Sequence, residues 1–209
     1  MHKEFDDELR EQYGDFVIGS DETGRGCWVG PIVGAAVCLH ADFELIGLTD
    51  SKKLSEKARN EFSEIIKDNA LAWSIQEISS DEIDQNGITW ANIQVLTRSA
   101  KEVAEKLGEV SLYVFDQSSS NDLSPQIMFP KADSTSMTVA AASVIAKVYR
   151  DSVIMKLHEK YPQYCFDKNK GYIDKNHVDM VNKYGIIKGV YRESFSVKGY
   201  NKSRQLNLY

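Results

Sequence analysis

The chain has 209 residues, of which 42% are hydrophobic, so it is long enough to bury the core of a single domain. No segment approaches the roughly 18 uninterrupted apolar residues of a membrane-spanning helix, and the polar start of the chain excludes a secretory signal peptide. The three scattered cysteines predict reduced thiols in a cytoplasmic protein and no zinc site.

The net charge of -6 is unevenly distributed along the chain. Residues 168–204 contain nine Lys and Arg against three acidic residues, a balance of +6, so the rest of the chain carries -12. Such asymmetry is typical of proteins with a surface for a polyanion such as nucleic acid. A basic C-terminal region can also be nothing more than solvated surface, and composition alone does not decide between the two.

The first part of the chain predicts two strands around a glycine-rich loop. Residues 15–21 (DFVIGSD) form the first, and residues 31–39 (PIVGAAVCL) are continuously apolar, as in a strand that is covered on both faces. An amphipathic helix follows from about Ser55, which we expect to be its N-cap. The alternating pattern of residues 71–79 predicts a third strand.

Helical patterns dominate the remainder of the chain. Residues 81–106 predict a helix that is broken at Asn86–Gly87. The elements predicted after it are a strand over 109–117, a short strand near 126–129, an alanine-rich helix from Thr135 to about Glu159, and a helix with Gly185 as its C-cap. This order of elements predicts an α/β fold.

Four acidic residues lie at the ends of predicted elements. Asp21 and Glu22 close the first strand, Asp116 closes the fourth, and Asp133 stands at the start of the long helix, where it could also be an N-cap. If the first and fourth strands are neighbours, three carboxylates converge on one edge of the sheet and the helix supplies the fourth. Such a cluster repels itself unless divalent cations occupy it, and oxygen ligands without His or Cys favour Mg²⁺ or Mn²⁺.

Six motifs occur in an order that resembles one enzyme family. They are DETGRGCWVGPIVGAAV, LTDSKKLSEKAR, VFDQ, KADSTSMTVAAASVIAKVYRD, GYIDKNH and YRESF. Together they are similar to type 2 ribonuclease H, specifically ribonuclease HII, over roughly residues 16–195. The resemblance implies a ribonuclease H-like mixed β-sheet flanked by helices. It implies one catalytic domain over residues 1–209, in which about 160–200 form a small helical part that completes the substrate groove and 201–209 form a tail.

The resemblance also implies an activity and a set of ligands. Asp21, Glu22, Asp116 and Asp133 match the catalytic, metal-binding acids of the family. The implied reaction is hydrolysis of the phosphodiester on the 5′ side of a ribonucleotide, in an RNA/DNA hybrid or within duplex DNA, leaving a 3′-hydroxyl and a 5′-phosphate. Two ions about 4 Å apart can activate a water and stabilise the leaving oxygen, so no histidine is needed as the base.

The nucleic-acid contacts expected from the resemblance centre on a loop and a tyrosine. In Gly24-Arg25-Gly26 the glycines let the backbone approach the 2′-hydroxyl that distinguishes RNA from DNA, and Arg25 can contact a phosphate. Tyr172 matches a tyrosine that stacks beside the RNA–DNA junction. The remaining candidates, for contacts to backbone phosphates, are Lys52, Lys53, Ser143 and Lys147. Each of these lysines is equally compatible with a solvated surface charge.

Three departures from the family pattern leave the substrate preference open. Cys27 stands where proline is common, Gln117 where glycine usually follows the acid, and GYID replaces the commoner GYGT. None removes an expected metal ligand, but preference for single ribonucleotides or for longer RNA tracts, as in ribonuclease HIII, is undecided. The sequence shows neither the extra N-terminal domain nor the loop usual in ribonuclease HIII.

Two other classes of function compete with a monomeric ribonuclease. A nucleotide-phosphate hydrolase is disfavoured because neither a P-loop nor a dinucleotide fingerprint is present, since an apolar strand follows the glycine loop where a helix is required. A non-catalytic nucleic-acid-binding module is disfavoured because four acids beside a phosphate would only weaken binding.

The last five residues, QLNLY (Gln205 to Tyr209), resemble the bacterial sliding-clamp-binding motif Gln-Leu-x-Leu-Phe. A terminal peptide of this kind can be presented to a partner, with the glutamine forming hydrogen bonds and the apolar side chains filling a pocket. The tail can equally pack on its own domain. A clamp is therefore one expected partner, besides the nucleic-acid substrate.

Overall fold

The structure, a computed structural model, describes residues 2–48, 51–116, 118 and 122–201. Its helices and strands are, in chain order, α1 (His2–Tyr13), β1 (Val17–Thr23), β2 (Ile32–Leu39), α2 (Glu56–Asn69), β3 (Ala70–Ile78), α3 (Ser80–Asn86), α4 (Ile88–Leu107), β4 (Leu112–Asp116), β5 (Gln126–Phe129), α5 (Met137–Lys160), α6 (Phe166–Asn169) and α7 (Lys175–Tyr184). Short 3₁₀ turns lie at Ser51–Lys53, Ala132–Ser134 and Pro162–Tyr164. The predicted strands and helices are all present, with ends shifted by up to three residues.

The strands form one mixed sheet in the order β3-β2-β1-β4-β5. Strand β1 pairs antiparallel with β2 and parallel with β4, and β4 pairs parallel with β5. The predicted adjacency of the first and fourth strands is therefore confirmed. In this register Ser20 lies opposite Phe115, so the next residues along the two strands, Asp21 and Asp116, lie at the same edge of the sheet.

Helices cover both faces of the sheet. Helix α4 packs through Val95 on the face that contains Ile32, and α5 packs through Ala140 on the face that contains Val33 and Val37. All eight residues of β2 are buried, which is why this strand is apolar without alternation. The predicted α/β fold, a mixed sheet flanked by helices, is confirmed.

The start of α5 is fixed by two contacts. Gly19 lets the helix approach closely, since a Cβ there would lie 2.6 Å from the backbone of Thr138. The buried Asp6 carboxylate accepts hydrogen bonds from the Thr138 backbone N–H (2.8 Å) and hydroxyl (2.6 Å). Asp6 belongs to α1, a helix that the polar N-terminal sequence did not predict, because its apolar stripe is narrow and its stability comes from docking on the domain.

Asp133 lies in the Ala132–Ser134 turn before α5 and is not its N-cap. That role belongs to Ser136, whose hydroxyl accepts a hydrogen bond from the Val139 N–H (3.2 Å). The Asp133 side chain is therefore not used in capping this helix. None of the helices formed by the described residues is both long enough and apolar enough to cross a membrane.

The C-terminal helices are joined to the rest of the chain by an aromatic cluster. Trp28, from the loop between β1 and β2, packs against Tyr191 and His177 with ring centroids 5.1 and 5.5 Å apart. The His177 ring also bonds the Tyr191 hydroxyl (2.9 Å) and the Tyr172 backbone oxygen (2.7 Å). This histidine is structural, and it connects the aromatic cluster to the turn that carries Tyr172.

Candidate active site

Four predicted acids lie where β1, β4 and the turn before α5 come together, and we refer to Asp21, Glu22, Asp116 and Asp133 as the acidic cluster. Asp21 and Asp133 are 5% and 4% exposed, whereas Glu22 and Asp116 are partly accessible. Strand β1 contributes the adjacent pair because its C-terminal end lies beside the end of the parallel strand β4. The local patterns of strand and turn thus place all four at one edge of the sheet.

The electrostatics of the acidic cluster link its members. Burial, together with the negative charges of Glu22 and Asp133, raises the pKa of Asp21 well above its usual range. Burial and the charge of Asp116 raise the pKa of Glu22 to about 7, while Arg25 and, more weakly, Lys52 oppose this shift. Glu22, Asp116 and Asp133 therefore each destabilise the ionised form of a neighbouring acid, which is the behaviour of a site that gains from a bound cation.

Backbone and hydroxyl donors hold two of these carboxylates in place. Asp21 accepts hydrogen bonds from the Glu22 N–H (2.8 Å) and from Ser143. Asp116 Oδ1 accepts the Lys131 N–H (2.7 Å). Within the described part of the chain, no three His, Cys, Asp or Glu side chains are already arranged to hold a metal ion.

The donor chemistry of the acidic cluster fits a hard divalent cation. Its members offer carboxylate oxygens alone, two of them are buried, and the charges of Glu22 and Asp133 disfavour the ionised form of Asp21. Mg²⁺ and Mn²⁺ prefer such oxygen ligands and supply the missing positive charge.

Ser143, a predicted contact to a backbone phosphate, lies on α5. It is buried, because the alanine-rich face of α5 packs on the sheet, and its hydroxyl lies 2.9 Å from that of Ser51. Its side chain also forms a hydrogen bond with Asp21, and a contact to a phosphate stays a prediction.

The predicted glycine loop follows the acid pair directly. Gly24 is buried with a φ of +88°, and a Cβ there would lie 2.6 Å from the Arg150 Cδ. Arg25 and Gly26 are exposed, and a Cβ at Gly26 would meet no protein atom within 4 Å. Glycine at 24 is thus required by the protein itself, whereas glycine at 26 leaves open space in front of the loop.

Tyr172 lies beside this loop, on the turn between α6 and α7. Its side chain is 45% exposed, and its ring centroid is 6.0 Å from the Lys147 Nζ. Burial of the hydroxyl and its hydrogen bond with Cys27 raise the pKa of Tyr172. The Trp28 N–H donates to the Gly171 oxygen at 2.9 Å, so the loop and the tyrosine turn are joined through their backbones.

The three predicted lysines differ in their surroundings. Lys52 and Lys53 are exposed on the Ser51–Lys53 turn, and Lys52 also interacts with Glu22. Lys147 is largely buried and forms an ion pair with Asp151 at 2.7 Å. The side chains of Lys52 and Lys53 are thus exposed to solvent, whereas that of Lys147 is largely covered and paired with Asp151.

Two buried arginines that the sequence did not single out, Arg150 and Arg192, donate hydrogen bonds to the glycine loop and the residues after it. Both occur in Tyr-Arg pairs within the quoted motifs, but no sequence pattern indicates that a guanidinium is buried. Gln117 and the tail Gln205 to Tyr209 lie outside the described residues.

Comparisons with known proteins agree with this arrangement. Residues 18–198 match the family model described as Ribonuclease HII. A ribonuclease HII from Clostridium acetobutylicum is 41% identical over 196 residues, which cover 90% of this chain and 75% of that protein.

Two solved structures share the fold. Ribonuclease H2 from Pyrococcus horikoshii OT3 superposes with a TM-score of 0.72 and 24% identity, over 91% of this chain and 97% of that one. Ribonuclease HII from Archaeoglobus fulgidus, solved as a complex with PCNA, has a TM-score of 0.66 and 27% identity, over 84% and 91%. The sequence match, the mixed sheet and the acidic cluster agree, so this chain belongs to the ribonuclease HII family and is a metal-dependent ribonuclease.

Proposed function

We propose that this ribonuclease hydrolyses the phosphodiester on the 5′ side of ribonucleotides, both in RNA/DNA hybrids and at single ribonucleotides embedded in duplex DNA. The products are a 3′-hydroxyl and a 5′-phosphate. The observation that carries the proposal is the direct continuity between Glu22 and the loop that begins at Gly24. Because of it, the group that would read a 2′-hydroxyl lies next to the acids that would serve hydrolysis.

Asp21, Glu22, Asp116 and Asp133 would hold divalent cations, Mg²⁺ or Mn²⁺, with two ions in the catalytic state. When bound, such ions supply an activated water and stabilise negative charge on the leaving 3′-oxygen. The chain's own part is to hold the ligands: Ser143 and the Glu22 N–H orient Asp21, and the Lys131 N–H orients Asp116.

The remaining residues would bind and orient the nucleic acid. The exposed backbone around Arg25 and Gly26 would hydrogen-bond the ribose, and the exposed Tyr172 ring would stack at the junction. Lys52 and Lys53 would contact backbone phosphates. The helical part at about 160–200, which carries the net positive charge, would form the other wall of the groove.

The test is a cleavage map on two substrates. A DNA duplex with one ribonucleotide and a fully paired RNA/DNA hybrid are incubated with Mg²⁺, with Mn²⁺ and with EDTA, and the product ends are determined. We expect a cut on the 5′ side of the single ribonucleotide only with a metal ion. Cleavage of the hybrid alone would favour a ribonuclease HIII-like preference. Binding without cleavage by both wild type and Asp21→Asn would favour a non-catalytic module.

We also propose that the tail, Gln205 to Tyr209, binds a sliding clamp. The Archaeoglobus fulgidus ribonuclease HII in complex with PCNA supports a partner of this class. Such binding would bring a monomeric enzyme to newly replicated DNA, where misinserted ribonucleotides enter excision repair. The three free thiols support a cytoplasmic location.

The clamp proposal is tested by truncation after Arg204. The truncated protein should retain cleavage of the bare single-ribonucleotide duplex and lose binding to the clamp of the same organism, measured by surface plasmon resonance. Equal clamp binding by the two proteins, or none by either, would exclude the tail as the attachment site.

A further inference from the structure

Arg150, on α5, contacts two separate segments of the proposed substrate surface, namely the loop after Gly24 and the turn that carries Tyr172. Its Nη2 and Nε donate hydrogen bonds to the backbone oxygens of Val29 (2.9 Å) and Pro31 (3.2 Å), in the loop after Gly24. Its Nη1 donates to the backbone oxygen of Lys170 (3.2 Å), two residues before Tyr172. One guanidinium therefore holds the glycine loop and the tyrosine turn at a fixed separation.

Arg192, in the segment after α7, contacts the same loop from the other side. Its Nε donates to the Gly30 oxygen (3.1 Å) and its Nη1 to the Arg25 oxygen (2.9 Å). The Arg192 backbone N–H in turn donates to the Trp28 oxygen (2.9 Å). The exposed residue Arg25 thus has its own backbone tied to a buried side chain.

These contacts require an unfavourable placement of charge. Both arginines are 0% exposed, and the hydrogen bonds recorded for their guanidiniums go to neutral carbonyl groups. Burial and the nearby charge of Arg150 lower the pKa of Arg192 to about 10, while the charge of Asp84 opposes this shift. An apolar residue would fill this space without the desolvation cost, but only a forked donor can fix several carbonyls at once.

We propose that Arg150 and Arg192 are positioning residues that fix residues 24–31 relative to Tyr172 and thereby set the discrimination for a ribonucleotide at an RNA–DNA junction. The inference rests on the proposed function and deepens it. A duplex with one ribonucleotide offers a single 2′-hydroxyl, so its cleavage depends on the spacing between loop and ring. A continuous RNA strand offers a 2′-hydroxyl at every register and tolerates a displaced loop.

The test compares Arg150→Lys and Arg192→Lys with the wild type on both substrates. Lysine keeps the positive charge but cannot reach several carbonyls at once. Arg10→Lys is the matched control, since Arg10 is a largely buried arginine on α1 that bonds Asp7 and lies outside the substrate surface. Thermal unfolding is recorded first, and kcat/KM is then measured below the lowest unfolding temperature.

We expect kcat/KM for the single-ribonucleotide duplex to fall roughly 10- to 100-fold in both variants, with a several-fold smaller loss on the RNA/DNA hybrid. Arg10→Lys should leave the ratio of the two substrates unchanged. Folded variants with the wild-type ratio would overturn the proposal, as would an equal change in Arg10→Lys. A wild-type protein that cleaves neither substrate would instead refute the proposed function.

Gly171→Ala provides a second route if the lysine variants do not fold. A Cβ at Gly171 would lie 3.0 Å from the Val29 oxygen and 3.3 Å from the Arg150 Nη2, so it displaces the same contacts without removing the charge. We expect the same loss of preference for the single ribonucleotide. An unchanged substrate ratio in Gly171→Ala would overturn the proposal independently.

Discussion

The acidic cluster lies next to residues 24–31, which we call the arginine-held loop because Arg150 and Arg192 bond its backbone. The two regions differ in how the protein surrounds their buried charged groups. In the cluster, burial and the neighbouring carboxylates Glu22 and Asp133 disfavour the ionised form of Asp21 and raise its pKa. In the loop, Arg150 and Arg192 are surrounded by backbone oxygens of the chain itself. Under the proposed function, the metal-binding centre would be completed only when cations bind, whereas the loop that would read the sugar is already held in place by the chain.

The largest expected effect comes from neutralising one member of the acidic cluster. Asp21→Asn should reduce cleavage at least about 100-fold, since loss of a metal ion removes several kcal/mol of transition-state stabilisation. It should also raise the melting temperature of the metal-free protein, because it relieves repulsion between carboxylates. Asp68→Asn, an exposed change at the end of α2, is the control.

Both halves of this prediction can fail separately. Near-normal cleavage by Asp133→Asn at millimolar Mg²⁺ would remove Asp133 from the acidic cluster's function. A lower melting temperature of Asp21→Asn in EDTA would mean that the Asp21 charge is balanced within the protein, and the contrast with the loop would be lost.

More of the acidic cluster could be predicted from the sequence than of the two arginines that hold the loop in place. Asp21 lies near the end of β1 and Asp116 ends β4, and both strands have clear local patterns, so a single assumption about strand order brought the two acids together. The burial of Arg150 and Arg192 could not be predicted in this way. Their partners are backbone carbonyl groups of distant residues, and because every residue has such a group, no sequence pattern marks them. The burial of Ser143 could not be predicted for a related reason, since only tertiary packing decides whether a polar residue of α5 faces the sheet.

The next largest effect is expected from alanine substitutions of the two glycines of the loop, which should differ in their effect on stability. Gly24→Ala should both destabilise the fold, by about 1–3 kcal/mol, and impair cleavage, because the left-handed backbone and the Arg150 side chain leave no room for a methyl group. Gly26→Ala should leave the melting temperature unchanged and still reduce single-ribonucleotide cleavage, since its Cβ would point into the open space in front of the loop, where the proposed function places the sugar. Wild-type cleavage by Gly26→Ala would show that the sugar does not approach at this position.

A smaller effect is expected for the tyrosine that the loop is held against. Tyr172→Ala should weaken junction cleavage by the value of one stacked base, about 1–3 kcal/mol, with little loss of stability because the ring is half exposed. Tyr184→Ala, at a similarly exposed tyrosine on α7, is the matched control. Equal kcat/KM values for Tyr172→Ala and the wild type would refute the stacking role.

The smallest effect is the pH dependence of the free energy of unfolding of the metal-free protein. This dependence reports directly on the unbalanced charge of the acidic cluster. The pKa of Glu22 is raised to about 7 by burial and by Asp116, and that of Asp21 is raised by burial and by Glu22. A carboxyl group whose pKa is higher in the folded than in the unfolded state favours folding when protonated. Its contribution is therefore complete below its unfolded pKa, near 4.5 for Glu22, and is lost as the pH rises towards 7.

We therefore expect the wild-type protein in EDTA to lose stability, on the order of 2 kcal/mol, between pH 5 and pH 7.5. In Glu22→Gln this slope should be smaller, because the amide does not titrate. Saturating Mg²⁺ should abolish most of the wild-type slope, since bound cations favour the ionised carboxylates and their affinity rises with pH. Denaturant unfolding at several pH values, with and without Mg²⁺, measures all three slopes. A free energy of unfolding that does not change with pH for the wild type in EDTA would mean that the acidic cluster carries no unbalanced charge. The cluster would then resemble the arginine-held loop, whose buried charges are surrounded by groups of the chain itself.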